Sequence, residues 1–444
     1  MLSKRQKVFY GMCRFGTSIF MQVVTLATIY IYANHFELSQ DLNAIGNAVG
    51  KIVIAFSGFI FGYISDILPS SKFGRRKIFI WTGAPLLALS FVMLFIPHLF
   101  IPIGDNTSVF VWLLIWISLF NLFYGYLLTP YQSWMPEITT EEDRVNVSGY
   151  QNTSNLIATV GGLAFVFIIA GGLSEEGISS SYGTFLIFAI IAFAVIEVLM
   201  FLPMLLTIEE RQVERKERNI LREFKVVLKN KNYVIWFIAQ GIYSIGLTIL
   251  LSLTLDLMGF MGLSGIQDFS IFGVLMFGMV IVSFVFWTRL SKKIGKKWSL
   301  IIGFACVIVV LPCTLFVAEI PYNIGGYLFG FLLGIGLSVS YLFPYAIIGD
   351  IADEDERLTK ESRAGMYTGF NSIPLNIFQA LALLIIPLIY DPNNPIAGVG
   401  LQWLGPIAAG FILLSIPVLW LGNFDPFMIK KAKKAELIEE VEMV

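Results

Sequence analysis

The sequence predicts an all-α membrane protein with twelve transmembrane helices in two pseudo-symmetric six-helix halves. Three observations predict it. The chain of 444 residues is 57% hydrophobic and 14% charged. Ordinary soluble domains carry roughly 25% charged residues, so this chain lacks the polar surface needed to face water all round. Its apolar stretches are long enough to cross a bilayer, which takes about 20 helical residues. Most of its 30 Lys and Arg gather at alternate connections between those stretches, as expected where loops alternate between two sides of a membrane.

Taken in order, the first six spans are expected at 8–33, 42–66, 78–103, 108–133, 148–172 and 183–207. The second six follow at 232–258, 268–288, 299–318, 324–350, 366–390 and 399–423. Only helices or closed barrels satisfy the backbone in lipid, and these runs are too long and continuous for barrel strands. Span 1 is too long for a cleaved signal peptide and lacks a small-residue cleavage site, so it reads as an uncleaved anchor. Lys4, Arg5 and Lys7 precede it, and Lys430, Lys431, Lys433 and Lys434 follow the last span. The even-numbered connections hold Lys72 to Lys77, Arg144, Arg211 to Lys231, Arg289 to Lys297, and Arg357 to Arg363. The odd-numbered ones, such as "ANHFELSQDLN" and "YDPNNPIAGVG", hold no Lys or Arg. Positive residues stay cytoplasmic, so both termini are expected inside the cell membrane.

The expected organisation is a first half at 1–207, a basic linker at 208–231, a second half at 232–423 and a tail at 424–444. The linker, "EERQVERKERNILREFKVVLKNKN", has the spacing of an amphipathic interfacial helix. Span 2 ends in "GYISD…KFGRRK" and span 8 in "FWTRLSKKIGKKWS"; span 4 ends in "YLLTPYQSWMPE" and span 10 in "YLFPYAIIGD". A polar start to the next span follows each of the latter pair, "RVNVSGYQN" and "RAGMYTGFN". Two halves in one orientation are the parallel repeat of the major facilitator fold, whose substrate site lies between them near mid-membrane.

"GYISD…FGRRK" looks like the cytoplasmic signature of that superfamily. Gly58 and Gly62, spaced small-xxx-small, let span 2 approach a neighbour closely. Asp66 is expected to accept from the open N–H groups of a nearby helix start, that of span 11, and to pair with a basic side chain. Gly62, Asp66, Gly74, Arg75, Arg76, Arg144, Asp350 and Arg363 form the expected cytoplasmic gate, whose contacts break when the halves rock. The alternative is that the basic residues are only topological anchors.

Four stretches together resemble the glycoside–pentoside–hexuronide:cation symporters, the melibiose-permease-like family. They are "YGMCRFGTS", "KFGRRKIFIW", "LLTPYQSWMPEITTEEDR" and "PYAIIGDIADEDERLTKESRAGMYTGF". The resemblance implies alternating-access symport of a sugar or sugar derivative with Na⁺, H⁺ or Li⁺. It also implies where this chain departs. The two cation-site carboxylates of span 2 fall on Ile54 and Gly58, and a span 1 Lys-Asp pair falls on Thr17 and Ser18. The sugar-binding Asp of span 4 falls on Leu128, the Arg of span 5 on Asn152, and a span 11 Lys beside Leu375 and Asn376. The span 4 Tyr is matched by Tyr124 and a span 10 aromatic by Tyr345. Lysolipid and plant-type sucrose carriers belong to the wider family.

Ionisable residues within a membrane are functional candidates by default. Lys51 lies near the middle of span 2 and Arg14 about two turns into span 1. Glu197 in span 6 and Asp256 in span 7 are placed in the outward halves of their helices. Neutral polar residues cluster on spans 1, 4, 5, 7, 10 and 11, where amide, hydroxyl and aromatic groups suit a polyol. The expected substrate contacts are Arg14, Thr17, Ser18, Tyr124, Gln132, Asn152, Tyr345, Asn371 and Asn376. Individually, each such residue is more often an interhelical hydrogen bond than a ligand contact.

Lys51 is the coupling candidate. A Na⁺ site in such a bundle wants a carboxylate, and Lys51 would repel a bound cation. Transport is therefore expected to be independent of Na⁺, with Lys51 either exchanging a proton or fixed in a structural ion pair. The chain has no GxxxxGK[ST] motif for an ATP-driven pump. Its two His, His35 and His98, sit at outer ends, and Cys13, Cys306 and Cys313 read as packing residues. No enzyme activity, metal, cofactor or nucleic-acid partner is expected. The expected protein is a monomer in the lipid bilayer, taking a small carbohydrate and a coupling proton. The alternatives are a carrier of lysolipid or another amphiphile, and a non-transporting membrane sensor.

Overall fold

Each apolar run becomes a helix because lipid offers no partner for an open N–H or C=O. The structure, a computed structural model, describes residues 2–68, 74–139, 141–210, 220–320, 323–359, 364–394 and 398–425. Among them are twelve helices long and apolar enough to span a membrane, and no strand. The first six are Lys4–Asn34, Gln40–Ser65, Lys77–Phe95, Asn106–Met135, Asn146–Glu176 and Gly183–Thr207. The second six are Lys231–Ser252, Gly265–Ile294, Lys296–Leu315, Ile324–Thr359, Gly369–Ile389 and Leu401–Leu421.

Local chemistry moves several ends from their expected places. Ser3 and Gln6 form a reciprocal capping box at the start of span 1. Span 1 is two rods, Lys4–Met12 and Arg14–Asn34, separated at Cys13. Span 3 stops at Phe95, two residues before Pro97, whose ring cannot continue a helix. Asp105 caps span 4, accepting from the Ser108 hydroxyl at 2.6 Å and the Thr107 amide at 3.2 Å. Those bonds hold its carboxyl below the ordinary carboxylate value. Span 7 ends at Ser252, and a separate short helix, Thr254–Phe260, carries Asp256. Span 10 breaks at Phe343, ahead of Pro344, and resumes through Thr359. The linker is helical over Ile220–Lys229, while 211–219 and the tail beyond 425 lie outside the described residues.

By contact the chain forms two units. One comprises Met1–Glu217, Thr248–Gly273 and Gln379–Leu404; the other comprises Arg218–Leu247, Val274–Phe378 and Gly405–Val444. The first unit thus holds spans 1 to 6 together with the ends of spans 7, 8 and 11 remote from the basic connections. This is a different cut from the one that the sequence repeat makes at the linker.

In the first unit, span 2 packs along span 4, span 3 lies against spans 4 and 6, and span 1 against spans 5 and 6. Gly58 and Gly62 both face Thr129 of span 4: a Cβ would stand 3.1 and 2.9 Å from its side chain. The helix Thr254–Phe260 rests on span 1, where the Asn34 amide donates to Asp256 at 2.9 Å. In the second unit, spans 9 and 10 pack together, and the Trp287 indole N–H of span 8 donates to the Ile335 carbonyl of span 10 at 2.9 Å.

Candidate transport site and carboxylate clasps

The basic motif between spans 2 and 3 is built around one glycine. Gly74 has φ 86°, and a Cβ there would stand 2.2 Å from a Glu210 oxygen. The turn aims the first amides of span 3 at that carboxylate. Arg75 and Arg76 N–H each donate to Glu210 Oε1 at 2.8 Å, and Lys77 N–H to Oε2 at 3.2 Å. A helix start leaves these donors unpaired and carries the positive end of the dipole, so a carboxylate is the matching group. Glu137, ending span 4, accepts from both the Arg75 and Arg76 guanidinium groups at 2.7 Å. Arg76 also donates to Ser65 Oγ at 2.7 Å, and Lys77 Nζ to the Leu205 carbonyl at 2.9 Å.

The second half repeats this clasp. Gly295 has φ 92°, and the Lys296 and Lys297 amides donate to Asp425 at 2.7 and 3.0 Å. Lys296 Nζ pairs with Asp350 at 2.5 Å, and Lys297 Nζ donates to the Trp420 carbonyl at 2.7 Å. In both halves the start of one span is tied to the ends of two others: span 3 to spans 4 and 6, span 9 to spans 10 and 12. Of the expected gate, Gly74, Arg75, Arg76 and Asp350 lie in the clasps, and Gly62 lies in the contact of spans 2 and 4. The side chains of Asp66 and Arg144, and the whole of Arg363, lie outside the described residues. The ion pairs seen between Arg75, Arg76 and Glu137 join spans 3 and 4 of one half. Sequence reasoning passed over Glu137, Glu210, Lys296 and Asp425. The signal was present for Glu137, which ends "YLLTPYQSWMPE" as the expected gate residue Asp350 ends its counterpart "YLFPYAIIGD".

The expected substrate contacts fall into two groups, one per unit. In the first unit, Thr17 and Ser18 are buried. Thr17 Oγ1 donates to the Arg14 carbonyl at 3.2 Å, and Ser18 Oγ donates to Asn155 Oδ1 of span 5 at 2.6 Å. Ser18 therefore also serves the contact of spans 1 and 5, through a partner that sequence reasoning left among the background polar residues. Arg14, Tyr124 and Gln132 are half-buried and Asn152 is exposed. Gln151 is committed elsewhere: it donates to the Tyr131 hydroxyl at 2.8 Å. Tyr131 in turn stacks on Tyr10 and donates to its carbonyl at 2.5 Å. In the second unit, Asn376 donates to the Ser372 carbonyl at 2.8 Å, Asn371 is buried with its Oδ1 unpartnered, and Tyr345 is 74% exposed.

The charged residues depart further from expectation. Lys51 is half-buried and no charged group faces it. Among the described residues, Lys51 makes no ion pair. Glu197 sits ten residues before the end of span 6 at Thr207, on the basic side of mid-membrane rather than in the outward half. It is fully buried, against Gly16 of span 1. Periodicity could not show this, because the helix is apolar on every side. His35, after span 1, is pushed down to about 4 by burial, so that end of the span carries no positive charge at neutral pH. No group of three or more His, Cys, Asp or Glu that could hold a metal ion occurs among the described residues.

Twelve spans in two repeated halves, each braced by the same glycine-and-carboxylate clasp, define a major facilitator-type membrane transporter. The D-xylose–proton symporter has this fold, with a TM-score of 0.68 at 16% identity over 95% of this chain and 97% of that one. The model of the MFS/sugar transport protein family matches residues 9–391, and the chain belongs to that family. The isoprimeverose transporter of Lactiplantibacillus pentosus is 22% identical, over 88% of this chain and 81% of its own length. The putative sulfoquinovose importer of Salmonella typhimurium is also 22% identical, over 99% of this chain and 93% of its own.

Proposed function

We propose that the protein carries a sugar or sugar derivative, such as a glycoside, pentoside or hexuronide, across the cell membrane by alternating access. In this reading it acts as a monomer with both termini cytoplasmic, and it does not couple to Na⁺. The observation that carries the reading is the family match over residues 9–391, and the hydroxyl and amide groups on spans 1, 4, 5, 10 and 11 fit it. Such groups match the donors and acceptors of a polyol. Relatives named for isoprimeverose and sulfoquinovose transport support a sugar derivative, and Arg14 supplies a cation for an acidic one. Arg14, Thr17, Ser18, Tyr124, Gln132 and Asn152 supply contacts from the first half, and Tyr345, Asn371 and Asn376 from the second. A thermal-shift screen over isoprimeverose, a hexuronate and a lysolipid tests this. Stabilisation by a sugar is expected; a response to the lysolipid alone would replace the sugar reading with the amphiphile one.

Independence from Na⁺ follows from neutral Ile54 and Gly58 on span 2 and from Lys51 one turn away, whose charge opposes a bound cation. Uptake into proteoliposomes is expected to be unchanged by an imposed Na⁺ gradient at constant pH and membrane potential. Stimulation by Na⁺ would show that a cation site exists. Orientation is tested by cysteines placed at Asn106 and Ser291 in a background lacking Cys13, Cys306 and Cys313. Membrane-impermeant labelling is expected from opposite sides, and labelling from the same side would sink the topology.

A further inference from the structure

Glu197 is fully buried between spans 1 and 6, and among the described residues neither carboxylate oxygen has a hydrogen-bond partner. The space for it is made by Gly16: a Cβ there would fall 1.9 Å from Glu197 Oε2 and 2.9 Å from its Cα. The Thr17 amide, in the first turn after the break in span 1, faces the carboxyl group but falls short of a hydrogen bond. The break at Cys13 lies directly beside this contact, and the Cys13 thiol reaches the Met200 carbonyl of span 6 at 3.4 Å.

The titratable groups around Glu197 are few. Span 1 contributes Arg14 and Cys13, and span 4 contributes Tyr131. Span 3 contributes none, since its Lys77 donates to Leu205, two turns further toward the basic side. Span 5 places Glu175 and Glu176 at its other end. An ionised carboxylate with no hydrogen bond and no ion pair in a dry interior is strongly disfavoured, and the neutral acid is not. The group is also not a simple packing residue, because an apolar side chain would fill the same space without orphaned oxygens.

We propose that Glu197 is the proton-binding site of the transport cycle. This inference rests on the proposed transport function and deepens it. In the conformation described, Glu197 is a carboxylic acid. When span 1 flexes at Cys13, water reaches the site, the O–H bond breaks, the proton leaves to water, and the carboxylate that remains is balanced by Arg14. Arg14, Thr17 and Ser18 flank Gly16 on one stretch of span 1. A shift of that stretch therefore changes the proton site and the expected substrate contacts together, which is the physical requirement for coupling.

Two arms of one experiment test this with the full chain in liposomes. The first needs no substrate: infrared spectra across a pH series report the C=O stretch of a buried carboxylic acid. The band is expected in the wild type, lost in Glu197→Gln, retained but shifted in Glu197→Asp, and retained in Lys51→Met. A band untouched by Glu197→Gln would overturn the proposal. The second arm measures isoprimeverose uptake driven by a proton gradient. Accumulation is expected to be lost in Glu197→Gln and partly kept in Glu197→Asp; full accumulation in Glu197→Gln would also overturn it. A wild type that moves no isoprimeverose would count against the substrate reading, while the infrared arm still decides whether Glu197 holds the proton. Loss of accumulation in Lys51→Met but not in Glu197→Gln would assign the proton to the lysine instead.

Discussion

Glu137→Ala is expected to be the most damaging single substitution on the basic side. One carboxylate serves two guanidinium groups, and the Arg75, Arg76 and Glu137 side chains are only 13%, 4% and 15% exposed. Removing one partner of a buried ion pair costs about 3–5 kcal/mol. The effect should be a large fall in the midpoint of thermal denaturation in detergent. The matching double variant separates the pair from its surroundings. Arg76→Met with Glu137→Met should recover part of the loss, because the isolated charge is removed along with its partner. An unchanged midpoint in Glu137→Ala would show that the clasp contributes nothing to stability.

Gly125→Ala is the second large expectation. Span 4 crosses span 2 at Gly125, where an added Cβ would stand 2.1 Å from Ser57 Oγ and 2.7 Å from the Gly58 backbone nitrogen. The serine hydroxyl can turn away, losing its bond to the Asn121 carbonyl at 3.2 Å, but the backbone cannot. Overpacking of this kind costs about 1–3 kcal/mol. Gly149→Ala is the control: nothing lies within 4 Å of a Cβ there, and alanine is the better helix former by about 1 kcal/mol. The first variant should melt lower than wild type and the second no lower. The reverse order would mean that spans 2 and 4 are not packed as described.

Much of this was legible in the chain itself. Twelve spans followed from run length, because the thickness of a bilayer sets the length of a helix that crosses it. The repeat followed from letters: "GRRK" against "GKKW", and "WMPE" against "IIGD". Spans 3 and 10, expected to run on to 103 and 350, instead stop just ahead of Pro97 and Pro344, a signal that lay in the sequence because proline acts on its own neighbours. These are local signals, and a sequence displays local signals directly.

What the chain could not display is which distant residues meet. Arg75 and Glu137 are 62 positions apart, and Gly74 and Glu210 further still. The basic motif alone does not show that Glu210, from the end of span 6, caps the start of span 3. That Ser18 meets Asn155, 137 positions away, is likewise visible only in the fold. Glu197 offers the clearest division. Its presence in an apolar run marked it as a candidate, but a helix apolar on all sides has no periodicity to say which way one carboxylate points. Composition and run length determined that this is a twelve-span membrane protein. Only packing, in which Gly16 opens room for a carboxyl group and no donor comes to meet it, decided where an unpaired acid sits inside it.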